Sequence, residues 1–337
     1  MASFKTGRMA VKRLNALEKK FLGQLRSRRL VDEGETVLIA LSGGPDSMAM
    51  LSLFCAVKPL LHIGLAVAHC NFQLRGAESD RDELFVRDHC QLLGLECFVE
   101  RFHTLRVAGE LKKSVEESAR ILRYTFFEQV MAQKGFTKIA TGHHVNDNAE
   151  TILFNLFRGV SLPGLRGIRA RNGKIIRPML LFQKADIVAY LDEKGIASRS
   201  DLSNFACDYD RNFIRNRVIP LIEERFVHKL MPSLRRVSEH AGELEEFLEL
   251  YFENLCEQEP GFSLADGQLD VEALKRLTAF EQKELFKRAL RDMDAPVDGQ
   301  TLQKLVDLLG TRPGKMVMAG GHLRVHWKKG KLVFLRD

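Results

Sequence analysis

The sequence predicts an α/β protein, built as a parallel sheet with helices on both faces and followed by a smaller, mainly helical domain with a short β tail. Three observations predict it. Apolar runs of strand length alternate with helical stretches between about residues 36 and 157. The first such run, Val37–Leu41, leads directly into Gly43-Gly44 and an apolar helix, the strand–turn–helix junction of a parallel sheet. From about residue 225 the chain changes to long, increasingly acidic helices and ends on a glycine-punctuated alternating stretch, residues 315–335. The expected domains are therefore 1–225 and 226–337.

Each element has a local reason. Residues 9–30 have rough helical spacing (Met9, Leu14, Leu17, Phe21, Leu25) beneath a basic face, so this helix should pack on the first domain with its charges outward. Ile63–His69 reads as a second strand. Residues 79–93 read as a helix stopped by Gly94. Leu95–Val99 is a third strand, and Ser114 caps a helix that ends near Gly135. Lys138–Thr141 is a fourth short strand, and Asn146–Phe157 is a helix. Two further helices are expected at roughly 270–292 and 299–310.

Composition limits the function classes. A chain of 337 residues can hold two domains, and no apolar stretch approaches a membrane span, so a cytoplasmic protein is expected. The first thirty residues hold nine Lys or Arg against one acid, in a chain whose net charge is +7. That excess suits a polyanionic partner such as RNA. The six cysteines (Cys55, Cys70, Cys90, Cys97, Cys207, Cys256) form no C-x-x-C pair and no zinc spacing, so they read as small buried hydrophobes.

Chemistry should gather at the carboxyl ends of the strands. After the first strand comes Ser42-Gly43-Gly44-Pro45-Asp46-Ser47. Glycines let backbone approach phosphate, a helix N-terminus supplies free N–H groups, and two serines add hydroxyls. The Walker lysine is missing, so this is a phosphate site of another kind. The motif resembles the loop of the N-type ATP pyrophosphatases (PP-loop proteins), which cut ATP between the α- and β-phosphates.

Four more stretches stand where strands meet helices. His69, Asn71 and Arg75 follow the second strand, and Arg75 suits either a phosphate contact or a loop ion pair. Arg120 and Tyr124 share a face of the Ser114-capped helix, with Arg120 a candidate to neutralise phosphate. His143 and His144 sit in the turn after the fourth strand. Asp147 and Glu150 project from one face of the next helix; they could cap it, bind magnesium, or deprotonate an amine. Residues 201–220 gather Arg211, Asn212, Arg215 and Asn216 with Asp201, Asp208 and Asp210; Arg211 and Arg215 could clamp phosphates or RNA. Residues 158–177 carry six basic residues and no acid. Gly159, Gly164 and Gly167 suggest a mobile loop there, one suited to a phosphodiester backbone.

Taken in order, SGGPDS, H-x-N-x-x-L-R-G, EESARILRY, TGHHVNDNAETILFNLFRGVSLPGLRGI, IIRPML and the D-x-S-N…R-N-x-I-R-N-x-x-I-P string resemble the tRNA(Ile)-lysidine synthetase family over roughly residues 36–222. The segment after the second strand departs from that pattern at Phe72 and Gln73. The resemblance implies a Rossmann-like PP-loop ATPase domain and a C-terminal tRNA-binding or accessory domain. It implies ATP with Mg2+, L-lysine, and tRNA(Ile) bearing a CAU anticodon, with a homodimer possible. ATP would adenylate C2 of the wobble cytidine, and the lysine ε-amine would then displace AMP. By that resemblance Ser42–Ser47 hold the triphosphate, and Asp46, Arg120, His143, Asp147, Glu150 and Arg215 carry the chemistry. Asp147 and Glu150 would take the amine, and Arg215 the lysine carboxylate or an RNA phosphate. The alternative is a tRNA 2-thiolation enzyme of the same fold, which generally needs a persulfide cysteine or a C-x-x-C iron–sulfur site. A free-metabolite amidating enzyme and a non-catalytic RNA-binding module are more distant alternatives.

Overall fold

The structure is a computed structural model that describes residues 13–160, 162–199, 210–227, 229–264 and 267–336. Met9, Asp201, Asn204, Cys207 and Asp208 lie outside the described residues. The chain divides into two compact units, one ending at Ala241 and the other spanning Gly242–Asp337.

In the first unit, α1 (Ala16–Ser27) is opened by an Asn15–Glu18 capping box. It buries Phe21 and Leu25 and leaves Lys19, Lys20, Arg26, Arg28 and Arg29 exposed, with the charges outward. Phe21 meets Phe54 edge-on at 5.0 Å and Phe182 at 6.3 Å. β1 (Thr36–Ala40) is followed by α2 (Pro45–Leu61), β2 (Gly64–Asn71), α3 (Ala77–Leu93) and β3 (Cys97–Arg101). Next come α4 (Thr104–Leu111), α5 (Val115–Lys134), β4 (Lys138–Ala140) and α6 (Val145–Phe157). The sheet order is β3-β2-β1-β4-β6-β5, parallel except for the short edge strand β5 (Arg171–Asn172) against β6 (Ile175–Ile176).

β1 explains the fold most directly. Val37 and Ile39 join one core with α1, α2 and Tyr190 and Leu191 of α7 (Lys184–Lys194). Leu38 joins the opposite core with Phe126, Phe127, Val130 and Met131 of α5. A strand buried on both faces must be apolar along its buried length, and Val37–Ala40 is. β1 lies between β2 and β4, so consecutive parallel strands run outward from it in both directions. At that switch point the carboxyl ends leave a crevice, and the loops after β1 and β4 form its two lips.

Within residues 162–177, where the glycines suggest a mobile loop, hydrogen bonds reach in from α6 and from Ser238. Leu162–Arg166 forms a 3-10 turn. Asn155 Nδ2 donates to Gly164 O at 2.8 Å, Asn148 Oδ1 accepts from Ile168 N at 2.6 Å, and Ser238 Oγ donates to Arg166 O at 2.6 Å. A Cβ on Gly167 would stand 2.3 Å from Asn148 Oδ1. Gly164 and Gly167 serve close packing, which looks the same as flexibility in a sequence.

After α7, α8 (Asp210–Phe213) continues through a π-helical turn, Ile214–Val218, into α9 (Ile219–Phe226). Helix α10 (Leu230–Gln258) contains the division between the units. The second unit packs α11 (Val271–Lys275), α12 (Ala279–Asp292) and α13 (Gly299–Leu308) on a four-stranded sheet. Its order is β7 (Gln268–Asp270), β10 (Lys331–Arg336), β9 (Leu323–Lys328), β8 (Met316–Ala319), with antiparallel pairing. The helix expected over 270–292 is broken after Lys275, because Thr278 and Glu281 form a capping box that starts α12 afresh. No helix among the described residues is long and apolar enough to cross a membrane.

Candidate active site

Ser42, Gly43 and Gly44 turn the chain from β1 into α2, and Pro45 occupies the first helical position, where its missing N–H costs nothing. Gly43 has φ +89°, in the left-handed region that favours glycine. The loop's polar groups bond one another. Ser42 Oγ lies 3.1 Å from Ser47 Oγ, Gly44 N donates to Ser42 Oγ at 3.3 Å, and Ser47 Oγ donates to Gly44 O at 2.9 Å. These are long, exchangeable bonds that an anion's oxygens could replace.

The opposite lip is built from β4. Gly142 packs so closely on the start of α2 that a Cβ would lie 3.3 Å from the Asp46 carbonyl carbon and 3.4 Å from Ser47 N. Between the lips lies a cavity of about 280 Å³. Ser42, Gly44, Asp46 and Ser47 line one end, and Cys70, Phe72, Arg123, Tyr124 and Phe127 the other. An anion cradle beside an apolar, aromatic wall suits a nucleotide.

The site residues expected from sequence converge here, with changes of role. His144 caps α6: its Nδ1 accepts from Asn146 N at 3.2 Å, and its backbone N–H donates to Asp147 Oδ2 at 2.9 Å. With Nδ1 accepting, the ring proton is assigned to Nε2, which lies 3.6 Å from Asp46 Oδ1 and 3.5 Å from Asp147 Oδ2. His144 thus links the phosphate loop to the carboxylates of α6, while His143, which the resemblance names for the chemistry, lines the cavity. His143 hydrogen-bonds Thr141 Oγ1 at 3.0 Å; burial, helped by Arg177, Arg123 and Arg120, pulls its pKa down to about 4 against the opposing charge of Asp147. It is neutral at pH 7.

Asp147 and Glu150 share a face, as their spacing requires, and both meet Arg215. Arg215 Nε lies 2.6 Å from Glu150 Oε1, its Nη2 lies 2.8 Å from Oε2, and the same Nη2 reaches Asp147 Oδ1 at 3.2 Å. Glu150 is buried, and burial raises its pKa despite the arginine. Arg215 stands on the π-helical turn, a geometry that often marks functional positions.

Arg120 lies over the Tyr124 ring at 5.0 Å, so the shared helical face exists. Arg123, one turn further on, lines the cavity and stacks on Phe72 at 5.3 Å. Arg75 makes the loop ion pair, bonding Asp82 Oδ2 at 2.6 Å. Arg211 lies over Phe154 at 5.6 Å and 4.0 Å from Glu116.

Sequence reasoning missed Lys184. It opens α7, and its Nζ lies 2.5 Å from Asp46 Oδ1. The signal was a lysine at a helix start just after IIRPML, which no local rule separates from a surface charge. Among the described residues no cluster of three His, Cys, Asp or Glu could cage a metal. Mg2+ with nucleotide needs no such cage, because it takes one or two carboxylates and completes its shell with phosphates and water. Asp46, at the loop and partly exposed, fits that part.

Comparison with known proteins agrees with this architecture. The family described as PP-loop domain matches residues 12–222. A tRNA(Ile)-lysidine synthase of Chlorobaculum tepidum is 54% identical over 321 residues, covering 95% of this chain and 97% of that protein. A tRNA(Ile)-lysidine synthase of Parabacteroides distasonis is 40% identical over 75% of this chain, which spans 56% of that longer relative. Among solved structures, the U34-tRNA thiolase NcsA of Methanococcus maripaludis superposes with a TM-score of 0.54 at 18% identity, covering 66% of this chain and 77% of the thiolase, which shows a shared fold. The chain belongs to the PP-loop family and, within it, to the tRNA(Ile)-lysidine synthases.

Proposed function

We propose that this chain uses ATP to adenylate C2 of the wobble cytidine of tRNA(Ile) with a CAU anticodon, then joins the lysine ε-amine there to give lysidine, releasing AMP and pyrophosphate. The observation that carries this is the meeting of two machines at one switch point. A phosphate cradle ends β1, and a paired carboxylate site opens the helix after β4, with His144 Nε2 within 3.6 Å of a carboxylate from each.

The residues divide the work accordingly. Attack of the cytidine O2 on the α-phosphate forms the O–P bond and breaks the bond to pyrophosphate. The loop N–H groups, the Ser42 and Ser47 hydroxyls and the Lys184 ammonium offset the charge that gathers on the leaving group. Asp46 would hold Mg2+, which would supply further charge neutralisation beside the Lys184 ammonium. Arg123 holds the nucleotide's flank. Free lysine is an ammonium at pH 7, with an ordinary pKa of about 10.4, so it must lose a proton before attacking C2. Asp147 and Glu150 bind the ammonium, and the ionised carboxylate nearest it takes the proton as the N–C bond forms and AMP leaves. Arg215 holds the two carboxylates apart and oriented.

We assign catalysis to the first unit and tRNA contacts to the second. In β9, Leu323, Val325 and Trp327 face the core while Arg324 and Lys328 face outward, beside Lys331 of β10. Such a face suits RNA phosphates. The test is attachment of labelled L-lysine to unmodified transcripts. Uptake by tRNA(Ile) with a CAU anticodon, dependent on ATP and absent with tRNA(Met), is expected; uptake without nucleotide would contradict the proposal.

A further inference from the structure

A polar network based on α3 reaches the phosphate loop through Arg199. Asp82 is its centre. Its two oxygens are divided between Arg75 Nη2 at 2.6 Å and Arg199 Nε at 2.8 Å, and Arg199 Nη2 also reaches Glu78 Oε2 at 2.9 Å. Asp82 is nearly buried, and Arg199 is about one-third exposed. The Arg199 backbone N–H donates to the Gly43 carbonyl at 2.9 Å, and its Cγ lies 3.7 Å from where a Gly43 Cβ would be.

That single backbone bond has a directional consequence. A trans peptide points its C=O and the following N–H in opposite directions. Holding the Gly43 carbonyl backward therefore turns the Gly44 N–H forward, and Gly44 lines the cavity. Gly43 is at φ +89°, and glycine resists rotation less than any other residue; the Gly44 N–H has only a 3.3 Å bond to Ser42 Oγ within the loop, so the shorter Arg199 bond is the firmer hold on this peptide. A flipped peptide would present a carbonyl oxygen to phosphate and repel it.

We infer that Arg199 is a positioning residue for the nucleotide: its side chain, anchored on Asp82 and Glu78 of α3, fixes its own backbone N–H on Gly43 and so aims the Gly44 N–H at the triphosphate. The inference rests on the proposal that this loop binds ATP. It makes a selective demand: loosening the anchor harms ATP binding and leaves the lysine site, built on α6 and the π-helical turn, alone.

The experiment measures binding of a non-hydrolysable ATP analogue by calorimetry, with KM for ATP and for lysine, in the full chain. Arg199→Ala keeps the backbone N–H but loses the anchor. It should weaken ATP binding about tenfold and raise KM for ATP similarly, with KM for lysine held within a factor of about two. Arg199→Lys, which can still pair with Asp82, should recover part of the loss. Glu78→Gln, at the exposed end of the anchor, removes one charged leg without disturbing the core; it should weaken ATP binding by about threefold and serves if Arg199→Ala does not fold. Unchanged ATP affinity in a folded Arg199→Ala chain would overturn the inference. So would an equal loss for ATP and lysine that tracks a fall in Tm. A wild-type chain that binds no ATP would instead refute the function on which the inference rests.

Discussion

The Arg215 guanidinium grips both oxygens of Glu150, Nε to Oε1 at 2.6 Å and Nη2 to Oε2 at 2.8 Å, and shares the second nitrogen with Asp147. A planar fork on a buried carboxylate fixes orientation as well as charge. Burial pushes the Glu150 pKa up and Arg215 opposes that push. Removing the fork therefore raises the pKa further. The acid limb of the pH–rate profile, where this carboxylate must be ionised, should move to higher pH in Arg215→Met, with kcat/KM for lysine lower by about a hundredfold or more. Steady-state rates from pH 5 to 9 would show this, and an unmoved limb would remove Glu150 from the proton path.

Asp147 serves α6 as a cap and the reaction as a carboxylate, and two substitutions separate the tasks. Asp147→Asn keeps an oxygen for the His144 N–H, so the melting temperature should hold. Asp147→Ala loses the cap at a cost of about 1 kcal/mol. Both should abolish lysine transfer. Full activity in either variant would reject the assignment.

Lys184 and Asp46 form a pair that nucleotide must open. Lys184→Met should raise KM for ATP and slow adenylation by about a hundredfold, while lysine affinity measured on a preformed intermediate is unchanged. A slowed second step alone would place Lys184 elsewhere in the reaction.

Gly142 carries a steric prediction. Alanine there would press on the Asp46–Ser47 peptide at 3.3–3.4 Å, and backbone cannot yield as a side chain would. Gly142→Ala should cost about 1–3 kcal/mol of stability and a larger share of ATP binding, read by thermal melts with and without nucleotide.

Glu83 gives the fold a pH dependence. Burial alone would raise its pKa, but hydrogen bonds from Arg101, Asn71 and Arg87 outweigh that and bring it down to about 2. A depressed carboxylate contributes stability above its unfolded pKa, near 4.3, and that stability is lost as pH falls toward 2. Chemical denaturation across pH 5 to 2.5 should show a steeper loss in wild type than in Glu83→Gln, which should be less stable by about 1–3 kcal/mol at pH 7.

The parts of this molecule legible in the sequence are those encoded within a few residues. Val37–Leu41 followed by two glycines declares its strand and turn, and Asp147 and Glu150 must share a helical face. What sequence missed depends on long-range placement. Arg120 and Arg123 lie on one helix, and only the packing of α5 on the sheet decides that Arg123 faces the cavity. Lys184 meets Asp46 across 138 positions. The strands β5 and β6 are two residues each, too short for any periodicity. Residues 158–177 read as mobile because the asparagines and serine that pin them come from α6 and α10.

The most direct test of the account is a single-turnover experiment with ATP labelled at the α-phosphate, unmodified tRNA(Ile) with a CAU anticodon, and no lysine. The label should transfer to the RNA with release of one pyrophosphate per tRNA, and leave as AMP only when lysine is added. Label that never joins the RNA, or AMP formed at the same rate with and without tRNA, would contradict it.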